Sequence, residues 1–209
     1  MPHLAALACL LTFLILCARG WWRFAPAFMC FAWCNCLQRC MALADAPHDL
    51  AWRQWVWAPA EIPLLLSAVA ATAEILFWRT RYMRERLFWR VACITAPLLI
   101  VGAAWHIEPG SLYGWVVRAR EFVWGGIFLA CWILVFPGRF ATCEPSALRL
   151  HSYIFTALAF AHAVIAPISR HGVALAIPQA AYQAILVLCC ARWALFCVTR
   201  RPEAVAAAA

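Results

Sequence analysis

Residues 55–78 read WVWAPAEIPLLLSAVAATAEILFW, 24 residues carrying two carboxylates and no cation, and RTRYMRERLFWR follows at once. At 1.5 Å per residue a helix of this length reaches about 36 Å, enough to cross a ~30 Å hydrocarbon layer. The arginines immediately after it hold that end on the cytoplasmic side. Glu61 and Glu74, inside such a helix, are costly unless paired or hydrated, which makes them the first candidates for a site.

The rest of the chain has the same solvent. Hydrophobic residues make up 67% and charged residues 12% of 209 positions, whereas soluble domains carry roughly 25% charged residues. All 17 positive charges are arginine, and the net charge is +8. That excess would suit nucleic acid if it formed one basic arm, but the arginines sit beside apolar runs, as the positive-inside pattern requires, so no nucleic-acid partner is expected. The absence of lysine excludes a retinal Schiff base, which needs the lysine amine. Most of the 12 cysteines lie within apolar runs, where a thiol is a small hydrophobe rather than half of a disulfide scaffold.

Seven spans are expected, over about 4–18, 21–43, 55–78, 87–105, 121–136, 150–168 and 173–198, in a single all-α transmembrane domain covering 1–209. The first lacks the positive n-region of a secretory signal, and Arg19 follows its apolar core, which marks a retained anchor with its N-terminus outside. With that orientation eleven arginines face the cytoplasm, and five, Arg39, Arg53, Arg118, Arg120 and Arg170, face outward. The C-terminus is therefore cytoplasmic. Tryptophans 21, 22, 52, 55, 57, 78, 89, 105 and 115 fall near expected helix ends, where an interfacial belt places them.

Two groups of intramembrane polar residues follow. Glu74 and Arg192 lie at comparable depths above the cytoplasmic arginines, and an ion pair between them would lower the cost of burying both. In the outer half, Glu61 stands between Pro59 and Pro63, which loosen the backbone ladder, at the depth of His162, Gln179, Tyr182 and Gln183. Gln179 and Gln183 share a helix face that Tyr182 borders, and with Glu61 and His162 they would line a polar ligand pocket open to the outside. The competing reading is interhelical hydrogen bonding that glues the bundle, worth roughly 1 kcal/mol or less per bond.

Haem ligation by His162 and a second histidine such as His106 is a further alternative, although His106 falls at a helix end. The C-x3-C-x-C-x3-C array of Cys30, Cys34, Cys36 and Cys40 spreads over two faces of a helix rather than around one ion, so no metal is expected there. Phosphate-loop, HExxH and GxSxG motifs are absent.

In AEIPLLLSAVAATAEILFWR, VRAREFVWGGIFLACWIL and PQAAYQAILVLCCARW the chain resembles a group of small bacterial seven-span membrane proteins, a resemblance that implies the fold and brings no activity with it. The Pro178–Gln179 pair is similar to the signature of PQ-loop sugar transporters, without the second PQ that an internal repeat would supply. The reading that follows is a multi-pass protein of the bacterial cytoplasmic membrane. It would be a non-enzymatic sensor-like or accessory subunit working with a membrane-protein partner or as a homo-oligomer. A small-solute transporter using Glu61 and Glu74, and a redox or haem protein using His162, are the alternatives, and the cofactor is unknown.

Overall fold

The computed structural model describes residues 2–23, 25–41, 43, 50–80, 111–135, 146–165 and 176–199. Within these the chain is all-helical, with six principal helices and no strand. They are α1 (Pro2–Ala18), α2 (Pro26–Met41), α3 (Ala58–Thr80), α4 (Leu112–Val135), α5 (Ser146–Phe160) and α6 (Ala176–Thr199). The expected span over 87–105 lies outside the described residues.

Local chemistry explains most of the boundaries. α1 stops at Gly20, whose φ of +73° is a left-handed turn that a Cβ would strain, and Gly20 N–H donates to the Cys17 carbonyl at 3.0 Å. α2 starts with Pro26 at its first position, where the missing N–H would have had no partner anyway. α4 begins at Leu112 rather than near 121, because the Ser111 hydroxyl accepts the Gly114 N–H at 3.1 Å and caps it.

Two π-helical segments adjoin the regular helices. Arg53–Trp57 leads into α3, with Ala58 N–H bonded to the Arg53 carbonyl, and Ala161–Ile165 continues α5. The wide turn ahead of α3 sits just before Pro59, whose ring would clash with the carbonyl four residues back in a regular helix.

Contacts along the helices give their directions. Cys9 meets Cys190, and Arg19 donates to the carbonyls of Cys197 and Val198, so α1 and α6 are parallel and end together. α2 runs back beside them, placing Trp33 against Phe13 and Asn35 against Cys9. α3 reverses again: Glu61 lies beside Gln38, and Glu74 beside Ala27 and Phe28. α4 is parallel to α3, through Tyr113 on Trp57 and Arg120 on Glu61. α5 opposes α4 and α6, through Phe128 on Phe160 and Cys189 on the Ile154 carbonyl. The bundle thus has a Glu61 end and an Arg19 end.

Large apolar side chains cover the outside of the bundle as well as filling its core. Leu4, Leu7, Leu11 and Leu14 of α1 are each about half exposed, and Leu66, Leu129, Ile177, Leu188 and Leu195 are more than half exposed. Asn35, Gln38, Glu61, His162 and Gln183 are buried. Two helical stretches are long and apolar enough to cross a membrane: Arg53–Ile75, 23 residues with mean hydropathy 1.4, and Ala180–Thr199, 20 residues with mean hydropathy 1.8. His3–Ala18 and Ser152–Ile165 are apolar but shorter.

Candidate functional site

Near the Glu61 end, side chains from five helical segments close into a ring. On α2, Gln38 and Arg39 occupy the last turn, with the Gln38 side chain buried. Gln38 Nε2 donates to Glu61 Oε2 on α3. The other carboxylate oxygen of Glu61 faces Arg120 Nε of α4 at 3.3 Å, and Glu61 is fully buried while Arg120 is 13% exposed. Arg120 Nη2 lies 3.5 Å from His162 Nδ1, on the π segment after α5. The Tyr182 hydroxyl of α6 is 3.2 Å from His162 Nε2. Arg39 then donates to the Tyr182 hydroxyl, its guanidinium 5.0 Å from the centre of that ring, and the circuit returns to α2.

Aromatic faces hold these groups in place. The His162 imidazole stacks on Trp124 with centroids 4.1 Å apart and planes 8° from parallel, and meets Tyr182 edge-on. Trp124 is one turn after Arg120, so a single face of α4 supplies both the guanidinium and the platform. Trp57, from the π segment ahead of α3, sits 5.9 Å from the Arg120 guanidinium, within cation–π range. Both wide turns thus bring a residue to the ring, as π segments often do at working sites.

Deeper in the bundle an apolar layer takes over. Phe31 packs edge-on against Trp124 and Phe155, and Phe28 lies 4.8 Å from Trp193. Among the buried hydroxyls, Ser67, Thr72 and Thr156 donate to carbonyls of their own helices, while Thr12 on α1 lies 2.8 Å from the Ala8 carbonyl and 3.1 Å from the Cys190 carbonyl of α6.

Of the expected pocket residues, Glu61, His162 and Tyr182 are brought together, with Arg120 standing between the first two. Gln183 is buried on α6, but its Oε1 has no hydrogen-bond partner among the described residues. Gln179 falls in the first turn of α6, and its side chain lies outside the described residues. Arg39 and Arg120, assigned from sequence to outer segments, are instead ring members inside helices.

The expected Glu74–Arg192 ion pair gives way to a different arrangement. Glu74 accepts the N–H groups of Phe28 at 3.0 Å and Ala27 at 3.4 Å, while Arg192 is exposed on α6. The physical reason is the start of α2: Ala25 precedes Pro26 and has no side-chain oxygen to cap with, so the first-turn amides take a carboxylate from α3. The four cysteines of α2 spread around the helix, with Cys36 buried and Cys30 and Cys40 exposed. No family model, curated protein or solved structure matches the chain.

Proposed function

We propose that the chain is a multi-span protein of a bacterial cytoplasmic membrane, a non-enzymatic sensor-like or accessory subunit that holds a polar group in a site near its outer face. The apolar exterior supports the membrane. A leucine left in water forfeits about 1.5–3 kcal/mol of burial, and the exposed leucines of α1 alone would forfeit an amount comparable with the ~5–15 kcal/mol stability of an ordinary domain. The parallel course of α3 and α4 is what a seven-span chain requires of its third and fifth spans. Sequence resemblance to small bacterial seven-span proteins leans the same way.

The observation that carries the reading of the site is the ring itself, built by five helical segments above a layer of aromatic side chains. A relay or solute path needs linked polar groups at successive depths. Buried polar side chains also occur at other depths, including Thr12, Asn35, Ser67, Thr72, Ser152 and Thr156, but among the described residues the linked set of charged and polar groups is the one at the ring. Binding at the ring fits that arrangement better than passage through it.

Reconstitution into liposomes tests this. Vesicles containing the protein should hold an imposed pH gradient as well as empty ones, with wild type and Glu61→Gln alike. A proton flux present in wild type and abolished by Glu61→Gln would replace the binding reading with transport.

A further inference from the structure

We infer that the ring is completed by a phosphate-type oxyanion, held between Arg39 and Arg120 at the outer end of the bundle; this rests on the reading of that end as a binding site. The first ground is charge. Among the described residues two guanidiniums, which stay protonated in proteins, share the ring with one carboxylate, a net positive charge on buried and half-buried side chains. An uncompensated charge at this depth is expensive, and the C-terminal carbonyls of α2 near Arg39 offset it only in part.

The second ground is the balance of donors and acceptors. The two guanidiniums bring about ten N–H groups. Among the described residues the ring's side-chain acceptors are the Glu61 oxygens, the Gln38 amide oxygen, the Tyr182 oxygen and a ring nitrogen of His162. Arg39 Nε is buried without a hydrogen-bond partner among the described residues. A ligand with several acceptor oxygens supplies what the ring lacks, and guanidinium forks match phosphate oxygens.

The third ground is position. The positive-inside rule works against arginine on the outer side, yet Arg39, Arg53, Arg118 and Arg120 gather at this end. The carboxylates at this end among the described residues are Glu61 and the half-buried Glu121. In the proposed orientation Arg39, in the last turn of α2, and the exposed Arg53 stand near the level of lipid headgroups. The phosphate can therefore come from an anionic headgroup or from a soluble phosphate, and the two share the same chemistry at the ring.

Equilibrium binding to the purified protein in a neutral detergent separates these sources, using radiolabelled inorganic phosphate in one arm and phosphatidylglycerol against phosphatidylcholine in the other. Saturable binding in the first arm identifies a soluble anion; preference for phosphatidylglycerol in the second identifies a lipid. Arg39→Gln should weaken whichever binding is seen about tenfold or more, as loss of a charge-assisted hydrogen bond does. Glu61→Gln, which removes the competing carboxylate, should tighten it severalfold. If Arg39→Gln does not fold, Arg39→Lys keeps the charge and should weaken binding by losing the fork.

Binding unchanged in both Arg39 variants overturns the inference, and so does wild-type protein that binds neither probe. Such a protein, if it also holds a pH gradient, leaves the broader reading in place, whereas Glu61-dependent flux removes that reading itself.

Discussion

Glu61 is fully buried, and its carboxylate is held by Arg120 at 3.3 Å and by Gln38. Breaking a buried pair from one side leaves the other charge uncompensated, a cost of about 3–5 kcal/mol. Glu61→Ala and Arg120→Ala should each reach that range in a denaturant titration of the purified protein, and the double change should cost less than their sum by about 1–3 kcal/mol. Additive losses would mean that the two charges are stabilised separately. Tyr182→Phe probes the opposite side of the ring: it keeps the face beneath Arg39 but removes the hydroxyl shared by Arg39 and His162. A loss of about 1–3 kcal/mol is expected, because buried donors and acceptors are left unmatched. These residues differ in how visible they are in a sequence. Glu61, His162 and Tyr182 stand out as polar residues inside apolar runs, whereas Arg39 and Arg120 sit near run edges, where a positive charge reads as a loop residue. Only the carboxylate on a neighbouring helix makes Arg120 an interior residue.

Two helix ends in this bundle are finished by side chains from other helices. The α2 N-terminus borrows Glu74, and the α6 C-terminus receives Arg19, whose positive charge also suits that end of the helix dipole. Glu74→Ala should therefore destabilise the protein by about 1–2 kcal/mol, as loss of an N-cap does, and Glu74→Gln by less, since one acceptor oxygen remains. Arg192→Gln should change stability by less than about 0.5 kcal/mol, as exposed positions usually do. The same denaturant titration decides the partnership: coupling between Glu74→Gln and Arg192→Gln would restore the ion pair read from sequence, while additivity supports the cap. Helix periodicity and apolar length locate these elements in the sequence, but their ends depend on such trans partners. The fifth span is expected from about 121, yet Ser111 caps it ten residues earlier. The π turns at Arg53–Trp57 and Ala161–Ile165 change the hydrogen-bond register rather than the composition, so hydropathy cannot show them.

The bundle is polar at one end of its interior, aromatic in its middle and apolar on its outer faces, and the direction in which it sits in the bilayer decides what the ring can meet. Arg39, Arg118 and Arg120, assigned from sequence to the outer side, lie within helices, and so do Arg79 and Arg149, assigned to the cytoplasmic side. Orientation therefore rests on the sequence count of eleven against five. In the proposed orientation the Glu61 end is outside and the Arg19 end inside, so Ser111, at the start of α4, should face the periplasm and the chain after α6 the cytoplasm. Paired reporters measure this directly. A phosphatase that folds only outside the membrane should be active when inserted before Ser111 and inactive when fused after Ala209, and a fluorescent protein that matures only inside should give the reverse. The opposite pattern would put the ring against the cytoplasmic leaflet, where arginine excess is ordinary, and would remove the positional ground for an oxyanion at Arg39 while leaving its charge and donor grounds intact.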